Sequence, residues 1–173
     1  MATMVASPTF TSLLNEFRDE VAITQRLLER VPADKLAWKP HAKSMTLGQL
    51  AWHVATIPGG IARIAQQDSF DVLSGSFVPP QPANLQEIFT AYEQAVPGVE
   101  KFLSELTDDR ANANWRLMKG ERELFHQPRI NVVRTIMLNH WYHHRGQLSV
   151  YLRLLDVALP VIYGRSADED PFA

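Results

Sequence analysis

The segment LNHWYHHRGQL, residues 138–148, holds three of the chain's six histidines. Histidines packed this densely raise the question of a metal site. On a helix turning roughly 100° per residue, Val133, Met137, His140, His144, Leu148, Tyr151 and Leu155 gather on one face. His140 and His144 are therefore one turn apart on an apolar stripe. His143 lies roughly 80° from the centre of that stripe and is a boundary residue. Arg134, Arg145, Ser149, Arg153 and Asp156 fall mostly opposite, which gives Arg145 an outward direction. His53, between Leu50, Val54 and Ile57, sits close to the apolar face of an earlier helix. An imidazole facing a core needs polar partners or a metal, because burying an unsatisfied polar group is costly. Two inward histidines from one helix and one from another supply three nitrogens, the ligand count of an open zinc site whose fourth position takes water or substrate. The competing reading is that HxxxH pairs recur on helices by chance, and that a core histidine bonds a backbone carbonyl. Trp141 also stands where the HExxH motif would put its general-base glutamate, so the zincin motif is absent. No catalytic acid, base or nucleophile can be named from sequence.

Four long helices must position these residues. The first spans about Phe10 to Arg30, with Phe10, Leu13, Leu14, Phe17, Val21, Leu27 and Leu28 at helical spacing. The second opens at a capping box formed by Thr46 and Gln49, flanked by a Met45/Leu50 hydrophobic staple. Its apolar face runs Leu50, Val54, Ile57, Ile61 and Ile64, and Pro58, Gly59 and Gly60 predict a kink, since Pro58 cannot donate to the carbonyl of Val54. SGSFVPPQPANL reads as a loop, and a third helix follows over about Leu85 to Leu106, distorted near Pro97 and Gly98. NANWRLMKGERELFHQPR is too broken for a helix, and its Lys119-Gly120 turn can join two short extended pieces. The fourth helix runs from about Ile130 to Leu155, and the tail ALPVIYGRSADEDPFA reads as coil. The expected fold is all-α: one domain over residues 1–173, a four-helix bundle with long crossover connections.

Composition narrows the chemistry. A hydrophobic fraction of 46% and a charged fraction of 21% suit a globular core, and a net charge of −2 without a basic run points away from nucleic acid. The chain has no cysteine, which removes disulfides, thiolate ligands and a protein thiol nucleophile together. No apolar stretch is long enough for a bilayer and the first residues lack a leader pattern, so no membrane partner and a cytoplasmic location are expected.

Three segments, in order, resemble the DinB-like family of four-helix-bundle metalloenzymes, which shares only its name with a DNA polymerase. RVPADKLAWKPHAKSMTLGQLAWHVATIPG looks like the family's first connection and second helix, LNHWYHHRGQLSVYLRLL like its last helix, and LPVIYGRSADED like its tail. The resemblance implies a divalent metal on one histidine of the second helix and two, four apart, on the last. His53, His140 and His144 stand at those positions. His143 is left outside the site, His41 in a connection, and His126 without a motif. Arg165 stands where relatives often carry proline. The resemblance further implies a small-molecule substrate, a homodimer, and thiol S-transferase or related thiol-using chemistry with bacillithiol, mycothiol or glutathione as co-substrate. Zinc and nickel suit three imidazoles best, though iron, cobalt and manganese are tolerated. A metal-dependent hydrolase is one alternative, and a non-catalytic, stress-related metal-binding or dimeric bundle another. Trp52 and Trp141, each beside a candidate ligand, either wall the pocket or pack in the bundle, and Tyr151 either reaches a bound group or, as the favoured reading, is satisfied elsewhere in the core.

Overall fold

The structure is a computed structural model that describes residues 8–172. Helix α1 covers Pro8–Leu28, α2 Leu47–Ala65 and α3 Leu85–Ser104. A one-turn α4, Asp108–Asn112, leads into the hairpin. The last helix, α5, occupies residues 129–154 in three parts: α-helical Arg129–Asn131, π-helical Val132–Asn139 and α-helical His140–Leu154. Helices α1, α2, α3 and α5 form the expected all-α bundle, with Phe17, Leu50, Val54, Val99, Leu103, Val133 and Leu148 among its fully buried residues. Three short strands are the minor component.

The start of α2 is as its sequence requires. The Thr46 hydroxyl accepts from the Gln49 amide and the Gln49 side chain accepts from the Thr46 amide, both at 3.1 Å, so two orphan donors are satisfied reciprocally. The helix continues through Pro58, as α3 does through Pro97. A Cβ on Gly59 would come within 2.9 Å of the Ala95 Cβ, so the glycine permits close approach of α2 and α3. Because Pro58 has no N–H, the carbonyl of Val54 lacks its i+4 donor. Trp141, fully buried on α5, supplies one instead: its Nε1 donates to the Val54 oxygen at 2.9 Å. The helix that carries His53 is thus bonded, one residue further on, to the residue following His140.

A second cross-link closes the other end of α2. The fully buried Arg129 donates to the carbonyls of Ala65 at 2.6 Å, Gln67 at 3.0 Å and Arg110 at 2.6 Å, and pairs with the Asp68 carboxylate at 2.7 Å. Ala65 and Arg110 lie in the last turns of α2 and α4, where a helix end leaves its carbonyls without partners. Strand β1, Ser69–Asp71, then runs parallel to β2, Asn114–Lys119, which pairs antiparallel with β3, Arg122–Pro128. The β2–β3 hairpin matches the two extended pieces expected around Gly120, whose φ of 59° makes it the left-handed turn residue. The parallel partner β1 was not expected.

One sequence expectation is corrected here. Arg145 is not outward but 1% exposed. At Arg145 the α5 face opposite the histidines is covered by α1 and the C-terminal tail, whereas Arg134, Arg153 and Asp156 on the same face are exposed. The Arg145 guanidinium pairs with Glu20, bonds Thr24 at 3.1 Å and Tyr163, and lies over the rings of Tyr142 and Tyr163. The tail is fastened further by Arg26 to the Val161 carbonyl at 2.8 Å and by Arg30 to Glu169 at 2.6 Å.

If the Val54 carbonyl links the two helices, Trp141→Phe should destabilise the protein by about 2–3 kcal/mol through a void and an orphaned acceptor. Adding Pro58→Ala, which restores the missing N–H, should recover roughly 1 kcal/mol beyond additivity. Urea unfolding of the four chains measures the coupling; strict additivity would show that this carbonyl is not the link.

Candidate metal centre

The histidines sort as the helical wheel predicts. His53, His140 and His144 come together half-buried, with one ring nitrogen from each lying within 4.8 Å of the others. The rings meet edge to face or tilted: His53 to His140 at 5.3 Å, His53 to His144 at 4.6 Å and His140 to His144 at 4.6 Å. Among the described residues these three form a group that could hold a metal, as the sequence expected.

The remaining three histidines stay apart. His143 is exposed and only touches the His144 ring from outside, at 4.9 Å. His41 accepts from the Lys43 amide in the first connection, and His126 on β3 contacts Glu123 at 2.7 Å.

Orientation of each ring follows from its other nitrogen. Nε2 of His140 and Nε2 of His144 approach to 2.9 Å, so these two nitrogens face the centre. Nδ1 of His144 is then left to donate to Oε1 of Gln147 at 2.7 Å, which fixes the tautomer that offers the Nε2 lone pair. The His140 ring bonds the backbone of Ile136, inside the π-helical segment, with the same consequence. Helical spacing alone could have flagged Gln147, which is i+3 from His144 and therefore a neighbour on the same face. His53 makes no hydrogen bond to a described side chain or backbone group and is positioned by packing.

Proton affinity at the triad is low throughout. Burial, and then repulsion from His144 and His140, pulls His53 from an ordinary 6.5 down to about 4. Burial also lowers His140 and His144, against the opposing bonds to Ile136 and Gln147. All three imidazoles are therefore neutral at neutral pH, the state in which a lone pair is free for a metal.

Beside the triad lies a cavity of about 560 Å³, bounded by α2, the π-helical part of α5 and the sheet. His53 and His140 form part of its wall, and Trp52, Phe70, Trp115 and Ile136 make most of the remainder apolar. Trp52 thus lines a pocket as expected. Trp141 does not: it is buried against Phe17 and bonded to Val54. Trp115 takes the place envisaged for it, from β2, held by its Nε1 bond to the Ile64 carbonyl at 3.1 Å. Tyr151 is turned to the Met45 carbonyl at 3.4 Å and edges against Trp38.

The sequence model of the DinB family matches residues 2–170. The chain belongs to the DinB family. A relative, the uncharacterised protein YrdA of Bacillus subtilis strain 168, is 28% identical over 168 residues, covering 93% of this chain and 92% of YrdA. A crystal structure of a DinB-like protein from Bacillus cereus ATCC 10987 superposes with a TM-score of 0.67 at 25% identity, over 87% of this chain and 95% of that one. The DinB-like protein YjoA of Bacillus subtilis gives a TM-score of 0.68 at 18% identity, over 90% and 99% of the two chains, and supports the fold.

Gln147→Leu, which removes the acceptor that orients His144, should weaken divalent-metal affinity about tenfold, and Gln147→Glu should restore it. Competition against a chromophoric chelator measures both. Unchanged affinity in the leucine variant would contradict the orienting role.

Proposed function

We propose that this DinB-family protein is a divalent-metal-dependent enzyme that joins a low-molecular-weight thiol to an electrophile held in the apolar cavity. The observation that carries the reading is the placement of neutral imidazoles in the wall of a cavity large enough for a small organic molecule. His53, His140 and His144 would hold the ion, with Gln147 and the Ile136 backbone keeping two of them in the ligating tautomer. A dication bound by three neutral ligands keeps its full charge and lowers the pKa of a thiol beside it.

The chain itself has no cysteine, so the sulfur comes from the co-substrate. In the overall reaction a bond forms between that sulfur and an electrophilic carbon. The thiol proton passes to solvent, and in a displacement the leaving group departs with its bonding pair. The apolar walls hold the electrophile and exclude bulk water, which favours transfer to sulfur over hydrolysis. The same cavity disfavours the hydrolase alternative, because a hydrolase needs a general base and no carboxylate is among the described residues lining it.

The test is incubation of the metal-loaded protein with monochlorobimane and, in turn, bacillithiol, mycothiol and glutathione. At least one thiol should be conjugated faster than in the metal-stripped control. Consumption of no thiol above that control would overturn the reading, and product release with water alone would point to the hydrolase.

A further inference from the structure

Among the described residues lining the cavity beside the triad, one carries a permanent charge, Arg63. Neighbouring arginines are occupied: Arg110 and Arg129 both pair with Asp68. Arg63 is exposed, and no carboxylate or carbonyl among the described residues engages its guanidinium. The group folds back along α2, with Nη2 3.9 Å from where a Cβ on Gly60 would stand. Gly60 follows His53 by seven residues, so the guanidinium and the histidines are separated by roughly 10 Å along the helix at 1.5 Å per residue. Between them the wall is made by Ile57, Ile61, Phe70 and Trp115.

We propose that the cavity takes a small organic acid with an apolar, ring-sized body, whose carboxylate is gripped by Arg63 and whose opposite end lies at the histidines. This deepens the reading given above by naming the substrate class of the same site. Three features converge on it. A guanidinium matches a carboxylate with two parallel hydrogen bonds, a geometry that a neutral ligand cannot use. Apolar walls lower the local dielectric, so a cation at the edge attracts an anion more strongly than it would in open water. No acidic side chain is among the described residues lining the cavity, so nothing there competes for Arg63 or repels an anion. One polar group at the end of an apolar chamber sets orientation, which here presents the far end of the ligand to the site of chemistry.

Binding of 5-phenylpentanoate and of its neutral amide, 5-phenylpentanamide, tests the proposal. Trp52 and Trp115 in the cavity wall report occupancy by fluorescence, and calorimetry gives the affinity. The measurement is made at pH 8, on the protein as purified and again after chelation, so that contact of the carboxylate with a metal is separated from contact with Arg63. The acid should bind about tenfold more tightly than the amide, equivalent to roughly 1.4 kcal/mol. Arg63→Gln should erase that preference in both preparations and leave amide binding and the melting temperature unchanged. Equal affinity of the wild-type protein for acid and amide would overturn the proposal, as would an unaltered preference in Arg63→Gln or no binding of either probe. No thiol or conjugation is involved, so this result and that of the thiol assay fail independently.

Discussion

The carbonyl of Val54 governs how the two histidine-bearing helices meet. Pro58 deprives it of the donor that a regular helix would provide, and an acceptor left bare in a core is costly. Trp141 answers from α5 at 2.9 Å. Since Val54 follows His53 and Trp141 follows His140, the bond that satisfies the backbone also sets the height of one helix against the other. Arg129 cross-links the far end, where its guanidinium takes up the carbonyls of Ala65, the last residue of α2, and of Gln67 just beyond it. Two polar cross-links on a buried seam thus keep three imidazoles within reach of a common point, and the apolar packing around them fills in the rest.

The chemistry inherits its character from that seam. Imidazoles brought together in a half-buried site resist protonation, both because burial disfavours the charged form and because each repels charge on the others. They are left as neutral donors at neutral pH. The cavity wall is apolar apart from those rings, Thr56 and Arg63, so its electrostatics favour anionic or polarisable groups. The thiol proposed to react at the site and the carboxylate proposed for Arg63 would both suit that preference.

Much of this was legible in the residues. The triad could be picked from a wheel because residues from His140 onward follow regular α-helical geometry, and the Thr46/Gln49 pair announced the start of α2 by its chemistry. Arg145 was misjudged because a wheel gives directions and not neighbours. Its guanidinium is covered by α1, far away in sequence, and by the tail that follows α5. The π-helical stretch before His140 has no residue signature of its own, so nothing in VVRTIMLN distinguished it from an ordinary helix. Trp115 is fixed at the cavity by its bond to the Ile64 carbonyl, a contact between distant segments that local periodicity does not register. The missing donor at Pro58 was readable, but the identity of its replacement was not, because Trp141 is remote in sequence.

His53, His140 and His144 are expected to hold one divalent ion together, while His143, next to His144, takes no part. Metal analysis of the purified wild-type protein, a His143→Ala variant and a His53→Ala, His140→Ala, His144→Ala triple variant decides it most directly. About one ion per chain is expected in the first two, and loss of that ion in the triple variant. Full metal content in the triple variant, or its loss on replacing His143 alone, would contradict it.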